Sequence, residues 1–274
     1  MIIWLASYPK SGNTLLRSML SGYFFSENGI YDFSLIKNIK QFPHGGLFQE
    51  LGIDINKQEE TLKKYIDVQK IINRQNSIKF LKTHSYLFNF KKDYPFTDLI
   101  NTLGVIYIVR DPRNIVTSFS KYKNISMEET ANFMINGKGD GFTWTNTWNE
   151  NYKSWKELID YNKYLLIKYE DLIKNREKVF IKILEFIHKL KNTRLKLDPY
   201  KIKNLMETTS FEYLQKLENE KGFSEAGINQ KTGKNIPFFN LGPKNNWKEI
   251  LDPKITNRLE IAFKDEMVEL GYLQ

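Results

Sequence analysis

The apolar and polar positions along the chain predict an alternation of strands and helices. Four short apolar runs are typical of buried strands, and they span residues 2–6, 78–81, 105–109 and 165–168. Helices are expected over about 13–25, 57–74, 112–123, 176–190 and 254–269. This alternation favours an α/β fold in which a single parallel sheet is flanked by helices. Because no repeat or linker interrupts the pattern, we interpret residues 1–274 as one domain.

Two further segments stand out from this pattern. Trp144, Trp148, Tyr152 and Trp155 fall on one face of a predicted helix, and core packing is favoured over ligand stacking for this aromatic stripe. Residues 219–246 are rich in Gly, Lys and Asn and show no periodicity. A connection of that length is usually functional or mobile.

The charge and composition narrow the classes of function. The chain has 274 residues with 41 Lys and Arg against 32 Asp and Glu, a net charge of +9, which suggests an anionic partner. It has no cysteine, which excludes disulfides, a thiol nucleophile and cysteine-ligated metals. The chain shows neither a run of 18 apolar residues nor a secretory signal, so we expect a cytoplasmic protein without a membrane span.

The loop after the first predicted strand has the composition of a phosphate cradle. It reads Tyr8-Pro9-Lys10-Ser11-Gly12-Asn13-Thr14 and leads directly into the first helix. The N-terminus of a helix directs backbone N–H groups and partial positive charge at an anion. The strand–loop–helix therefore resembles those of P-loop nucleotide-binding proteins, but Lys10 precedes Gly12, unlike a Walker A motif. The alternative is a plain turn with an exposed lysine.

A second candidate phosphate site follows the third predicted strand. Arg110 lies at the carboxyl end of that strand, where ligands bind in open α/β sheets. Ser118 lies two turns into the helix that Asp111 and Pro112 begin. A guanidinium and a hydroxyl can together hold a phosphate. The alternative is that Arg110 pairs with Asp111 or with a surface carboxylate.

A candidate general base lies after the second predicted strand, in Lys82-Thr83-His84. The ordinary pKa of histidine suits proton transfer near neutral pH. Of the other two histidines, His188 lies on an amphipathic helix and His44 in a Pro–Gly loop, so a structural or solvated role is favoured for both. We find no cluster of metal ligands.

Together these motifs resemble those of the cytosolic-type sulfotransferases, which use 3′-phosphoadenosine 5′-phosphosulfate (PAPS). YPKSGNT resembles the family's 5′-phosphosulfate loop, IVRDPRNIVTSFSKY its 3′-phosphate motif, and KTH the segment with its catalytic histidine. YEDL at 169–172, TSFEYL at 209–214 and FFNLGPKNNWKEI at 238–250 match later signatures. The matches occur in family order and span most of the chain.

The resemblance implies a role for each of these residues. Lys10 would stabilise the leaving group, and Ser11, Gly12, Asn13 and Thr14 would hold the 5′-phosphate. The 3′-phosphate would lie on Arg110 and Ser118, with Gly242 in the C-terminal segment, and the adenine near Tyr169 and Thr209. His84 would take a proton from the acceptor hydroxyl or amine, and Lys82 would steady the sulfonyl oxygens. PAPS is thus the implied cosubstrate, and no metal is implied.

The chain also departs from the family pattern. Asn240 and Leu241 stand where the family commonly has two cations for the 3′-phosphate, and Lys231, Lys234 or Lys244 are candidates to replace them. Leu15 stands where an adenine-stacking aromatic is usual. The dimer motif of the family is not recognisable, so the resemblance implies no oligomeric state.

Other functions remain open at this point. A kinase on a similar sheet would need a Walker A lysine, and a basic nucleic-acid-binding protein would need a binding motif, which we do not find. An inactive relative that binds the nucleotide without turnover is a further alternative. We expect no nucleic-acid partner.

The acceptor is the least determined part of the prediction. A small molecule, a lipid or a glycan is possible. Its pocket is expected from 26–56, 84–96, 133–148 and 219–240. Candidate aromatic residues in these segments are Phe33, Phe42, Phe48, Tyr86, Phe88, Phe90, Phe142 and Phe238.

Overall fold

A parallel four-stranded sheet forms the centre of the fold. A computed structural model of the protein describes residues 1–74, 77–137, 144–228 and 233–274. The strands are β1 (Ile2–Ala6), β2 (Lys79–Thr83), β3 (Asn89–Phe90), β4 (Tyr94–Pro95), β5 (Thr102–Val109), β6 (Tyr164–Lys168), β7 (Gly227–Ile228) and β8 (Asn235–Ile236). The central sheet has the order β2-β1-β5-β6, and every neighbouring pair in it is parallel. It contains all four predicted strands, whereas β3–β4 and β7–β8 form separate antiparallel hairpins.

Helices cover both faces of this sheet. They are α1 (Asn13–Phe25), α2 (Gly45–Gln49), α3 (Gln58–Lys63), α4 (Tyr65–Asn73), α5 (Pro112–Lys123), α6 (Met127–Asn136), α7 (Trp148–Lys156), α8 (Tyr169–Lys174), α9 (Arg176–Leu190), α10 (Pro199–Thr208), α11 (Phe211–Lys221), α12 (Trp247–Ile250), α13 (Pro253–Ala262) and α14 (Lys264–Glu269), with 3₁₀ helices at Phe33–Asn38, Glu157–Tyr161 and Gly242–Lys244. Within the described ranges, no helix is long and apolar enough to cross a membrane.

The two faces of β1 bury side chains in two different apolar layers. Ile3 and Leu5 pack with residues of α1, α9 and α10, whereas Trp4 packs with residues of α5, α7 and α13. Every side chain of β1 is buried. A strand that is apolar on both faces is typical of a central parallel strand, which explains why its sequence is a continuous apolar run rather than an alternating one.

Two predicted helices prove to be pairs of shorter ones. The polar stretch 57–74 divides into α3 and α4 at Lys64, and the C-terminal stretch 254–269 divides into α13 and α14 at Phe263. Phe263 is buried and packs on Trp148 at 5.2 Å between ring centroids, so tertiary packing coincides with the break. The predicted start of α5 is confirmed, since the Asp111 carboxylate accepts a hydrogen bond from Arg113 N.

The aromatic stripe is a core feature, as predicted, with one correction. Trp148, Tyr152 and Trp155 lie on α7 and are buried. Trp144 precedes the helix, because Thr147 caps the N-terminus of α7 through Glu150 N. Trp144 instead packs on Phe88 from the loop.

The segment 219–246 contains more structure than its composition predicts. It begins inside α11, continues into the β7–β8 hairpin and ends near a 3₁₀ helix. Gln215 on α11 donates hydrogen bonds to the carbonyl oxygens of Phe239 and Asn240, which ties the later part of the segment to that helix.

Candidate active site

A cavity of about 810 Å³ lies at the carboxyl ends of the parallel strands. Residues that follow β1, β2, β5 and β6 line it, because parallel strands bring these ends to one edge of the sheet. Eleven predicted site residues line this one cavity: Lys10, Gly12, Asn13, Thr14, Lys82, His84, Arg110, Ser118, Tyr169, Thr209 and Gly242. Ser11 is buried within the loop beside them.

The loop before α1 has the backbone of an anion cradle. Lys10 and Gly12 have φ angles of 65° and 101°, so the chain turns sharply into the helix. A Cβ at position 12 would lie 2.4 Å from Cδ2 of Tyr169, which is too close, so only glycine fits here. Gly12 offers no side chain to cap α1. The first turn of α1 thus lines the cavity, and no side chain caps its N–H groups.

Asn13 fixes this loop to the strand before it. Its Nδ2 atom donates hydrogen bonds to the carbonyl oxygen of Leu5 at 2.9 Å and to Ser7 Oγ at 3.1 Å. The amide donors are therefore used within the protein, so we interpret Asn13 mainly as a residue that shapes the cradle.

His84 is held in one orientation by the end of β1. Its Nδ1 atom lies 2.9 Å from the carbonyl oxygen of Ser7 and 3.2 Å from Ser7 Oγ. Because a carbonyl oxygen can only accept, Nδ1 carries the proton and Nε2 keeps its lone pair. Burial and the nearby Lys82 ammonium lower the pKa of His84 to about 3, so the ring is neutral at physiological pH.

Two lysines converge on the same region. Burial lowers the pKa of Lys10 to about 7, and Arg110 and Lys82 add to the effect. Lys10 Nζ lies 4.3 Å from the ring centre of Tyr122 and 4.1 Å from that of Phe238. Burial also lowers the pKa of Lys82, to about 8. Cations that repel one another in a partly buried cleft are typical of an anion-binding site.

Arg110 connects the loop to the opposite wall. Its guanidinium stacks at 4.3 Å from the ring centre of Tyr169 and donates a hydrogen bond to the carbonyl oxygen of Lys10 at 3.0 Å. Asp111 binds Arg113 at 2.7 Å, so the alternative that Arg110 pairs with Asp111 is wrong. Within the described ranges, the buried Nε of Arg110 and the hydroxyl of Ser11 have no hydrogen-bond partner.

Another wall comes from α10, α11 and the C-terminal segment. Thr209 is fully buried, and its hydroxyl donates to the carbonyl oxygen of Leu205. A Cβ on Gly242 would lie 2.2 Å from the ring of Phe211, so the glycine allows the backbone to approach that ring. Thr117 and Trp247 N hydrogen-bond to Asn245 and Asn114 respectively, which holds this segment on α5.

The family model for the sulfotransferase domain matches residues 2–271. This chain belongs to the sulfotransferase family. The predicted family and α/β fold class are thereby confirmed.

Individual relatives are distant. The chain is 25% identical to the 3-beta-hydroxysteroid sulfotransferase of Cavia porcellus over 65% of its own length and 60% of that protein. It is 24% identical to the flavonol 3-sulfotransferase of Flaveria bidentis over 98% of its own length and 82% of that protein. Mouse sulfotransferase SULT7A1, solved in complex with PAP, has a similar fold, with a TM-score of 0.62 at 20% identity over 97% of this chain and 84% of that one.

The cations of this sulfotransferase are placed differently from the prediction. Asn240 and Leu241 line the cavity, but Lys234 and Lys244 are not among its lining residues, and Lys231 lies outside the described residues. Four other cations line it: Lys121, Lys123, Lys174 and Arg176. They bring positive charge to the cavity from α5 and the α8–α9 region.

An ion-paired cluster beside Lys82 was not evident from the sequence. Arg17 on α1 is buried and binds Glu225 at 2.6 Å, while Lys82 Nζ lies 3.7 Å from the same carboxylate. Burial raises the pKa of Glu225, but Lys82 and Arg17 outweigh it and hold the pKa below its usual range. Arg17 on the buried face of α1 is a sequence signal that a buried ion pair exists. The sequence around Glu225 gives no sign that this residue is the partner.

Most aromatic residues predicted for the acceptor pocket belong to the core. Phe42, Phe48 and Phe88 pack around Trp4 and Tyr65, and Phe33 packs on Phe223. Tyr86 packs on Phe88 with tilted rings, and Phe90 packs on Trp144 edge to face. Of the predicted aromatic residues that the structure describes, Phe238 lines the cavity, and Phe142 lies outside the described residues.

In the ranges that the structure describes, no group of three or more histidine, aspartate or glutamate side chains is arranged to hold a metal ion.

Proposed function

We propose that this protein transfers the sulfonyl group of PAPS to an acceptor hydroxyl or amine, with His84 as the general base. One observation carries the proposal. A neutral histidine, fixed through Nδ1 on the Ser7 carbonyl, lines the same cavity as two partly buried lysines and a helix N-terminus without a side-chain cap. A base and an anion site that share one cavity are what sulfonyl transfer requires.

The cavity has the features that a phosphorylated nucleotide needs. The cradle at Gly12 suits the 5′-phosphate, and the buried hydroxyl of Ser11 beside it has no partner among the described residues. Arg110 and Ser118 suit the 3′-phosphate, and the unpartnered Nε of Arg110 supports this role. Tyr169 and Phe211 are aromatic lining residues, so they are our candidates for contact with the adenine in place of Leu15.

Each reactive residue then has one task. PAPS supplies a sulfonyl group on a phosphate leaving group. His84 Nε2 accepts the proton of the acceptor, Lys82 balances charge on the sulfonyl oxygens, and Lys10 balances the charge that develops on the leaving oxygen. A base typically contributes about 10²–10⁴-fold in rate, and preorganised cations contribute at least as much.

The acceptor is proposed as a class only. The two relatives are named for a hydroxysteroid and a flavonol, and those names describe acceptors of those proteins. For this chain a small hydroxyl or amine compound is the proposal, and a lipid or glycan is the alternative.

The nucleotide site is tested first. Titration calorimetry should show that 3′-phosphoadenosine 5′-phosphate (PAP) binds much more tightly than adenosine 5′-phosphate, and that Arg110→Ala removes this preference. Equal binding of both nucleotides to the wild type would contradict the 3′-phosphate assignment. Tight PAP binding without any release of PAP from PAPS would favour the inactive relative instead.

A further inference from the structure

Resting on the proposed function, we infer that Thr145 is an acceptor-binding residue, and that its hydroxyl and His84 Nε2 together select a neutral hydroxyl compound as the acceptor. Thr145 lies in the loop before α7 and lines the same cavity as His84.

Thr145 and His84 are held next to each other by one side chain. Asn151 Nδ2 donates hydrogen bonds to the carbonyl oxygen of His84 at 2.9 Å and to that of Thr145 at 2.8 Å. Asn151 is fully buried, and its Oδ1 accepts a hydrogen bond from Tyr107 OH at 2.8 Å. A backbone hydrogen bond of 2.7 Å from Tyr86 N to the carbonyl oxygen of Trp144 joins the same two segments. The two residues are therefore fixed as a unit on the sheet.

The hydroxyl of Thr145 has no partner in the protein ranges that the structure describes. The residue is 2% exposed, and its Oγ1 atom is buried without a hydrogen bond. A buried polar atom without a partner costs about 1–3 kcal/mol of stability. Since Thr145 lines the cavity, a ligand there is the partner that we assign to this hydroxyl.

A hydroxyl acceptor would satisfy both groups at once. Its O–H donates to His84 Nε2, one lone pair attacks sulfur, and the other lone pair accepts a hydrogen bond from Thr145. The bond between the acceptor oxygen and sulfur forms as the bond from sulfur to the bridging oxygen breaks. The electron pair leaves on the phosphate of PAP, and the proton stays on His84.

An amine acceptor fits the same groups less well. At neutral pH an alkylamine arrives as an ammonium, so it must lose one proton before it can attack and a second during transfer. His84 resists protonation, and Lys10, Lys82 and Arg110 line the cavity beside it. A further ammonium in that position would be disfavoured by repulsion.

The test compares Thr145→Val, which keeps the shape of the side chain, with Thr145→Ser, which keeps the hydroxyl. The assay follows PAP release from PAPS with phenol, benzyl alcohol and benzylamine as probe acceptors. We expect Thr145→Val to lower kcat/KM for the hydroxyl probes about three- to tenfold, the effect of one lost hydrogen bond, mainly through a higher acceptor KM. Thr145→Ser should retain most of the activity, and both variants should bind PAP like the wild type.

Ser85→Ala is the matched control. Ser85 follows His84 and also has a buried hydroxyl without a partner in the described ranges, but it does not line the cavity. Its kinetics should not change. An unchanged acceptor KM in Thr145→Val, an equal loss in Ser85→Ala, or a preference of the wild type for benzylamine would overturn the inference. A wild type that binds PAP yet uses neither hydroxyl probe would overturn it too, whereas a wild type that does not bind PAP would overturn the proposed function.

Discussion

The Nδ1 atom of His84 lies 2.9 Å from the carbonyl oxygen of Ser7, so the end of β1 orients the ring that follows β2. Ser7 Oγ in turn accepts a hydrogen bond from Asn13, the first residue of α1. The candidate base and the candidate phosphate cradle are thus connected through one serine, and a change in either is transmitted to the other by no more than two hydrogen bonds.

His84→Asn separates the anchoring role of this histidine from its role as a base. The asparagine amide can still donate to the Ser7 carbonyl, but it cannot replace Nε2. We expect kcat to fall about 10²–10⁴-fold, while the Kd for PAP stays close to the wild-type value. A steady-state assay with PAPS and calorimetry with PAP measure the two quantities. An equal loss of PAP affinity would show that the ring serves mainly to hold the loop.

The positions of the four central strands and of the loop before α1 could be predicted because they depend on local signals. The apolar run 2–6 ends at a turn-forming segment, and Asp111-Pro112 marks the start of α5, so both boundaries follow from neighbouring residues. The apolar pattern does not predict α6, although Ser126 and Glu129 form a capping box at its start.

Features that depend on distant residues could not be predicted. Arg17 and Glu225 are 208 positions apart, and no pattern in the sequence joins them. The positions of Phe42 and Phe48 could not be predicted either, because the sequence does not distinguish a loop aromatic in the core from one that lines a pocket. Lys121 and Lys174 line the cavity through tertiary placement, and nothing in their local sequence distinguishes them from surface lysines.

Nucleotide binding should take up protons at alkaline pH. Folding lowers the pKa of Lys10 from its ordinary 10.5 to about 7, so the folded state loses this proton at a lower pH than the unfolded state does. The buried ammonium therefore lowers the stability of the fold below about pH 7, and this cost is relieved as the pH rises from about 7 to 10.5. A bound phosphate favours the ammonium form and raises the pKa again. PAP affinity should therefore fall as the pH rises above about 7.

Calorimetry in two buffers with different ionisation enthalpies measures this uptake directly at pH 8. Lys10→Arg is the control, because arginine stays charged throughout this range. The variant should take up fewer protons than the wild type, with the remainder due to Lys82, whose pKa is lowered to about 8. Equal uptake by both proteins would show that Lys10 does not titrate on binding.

Glu225→Gln should change stability and nucleotide affinity in opposite directions. The substitution leaves the buried Arg17 guanidinium without its carboxylate, so the free energy of unfolding should fall by about 1–3 kcal/mol. It also removes a negative charge 3.7 Å from Lys82 Nζ, so the cavity attracts an anion more strongly. We expect the Kd for PAP to decrease several-fold.

Urea denaturation and calorimetry test the two effects of Glu225 separately. Glu185→Gln makes the same change of charge on the exposed side of α9, away from the cavity, and should alter neither quantity measurably. If Glu225→Gln weakened PAP binding, the carboxylate would instead be needed to hold Lys82 in place.

Gly12→Ala should weaken nucleotide binding by displacing Tyr169. The new Cβ would lie 2.4 Å from Cδ2 of that ring, at a backbone φ of 101° that disfavours any side chain. The strain of the positive φ costs about 1–2 kcal/mol of stability, and the steric contact adds about 1–3 kcal/mol. Tyr169 would move away from the Arg110 guanidinium that stacks on it, so PAP affinity should fall together with stability.

Gly52→Ala isolates the contribution of the contact. Gly52 has a φ of 71°, also positive, but a Cβ there would meet nothing within 4 Å. Its substitution should therefore lower the free energy of unfolding through backbone strain alone and leave PAP affinity unchanged. The difference between the two variants, measured by urea denaturation and calorimetry, gives the contribution of the Gly12–Tyr169 approach. If Gly12→Ala bound PAP as tightly as Gly52→Ala does, the nucleotide site would not depend on the position of Tyr169, and its assignment to the adenine would have to be given up.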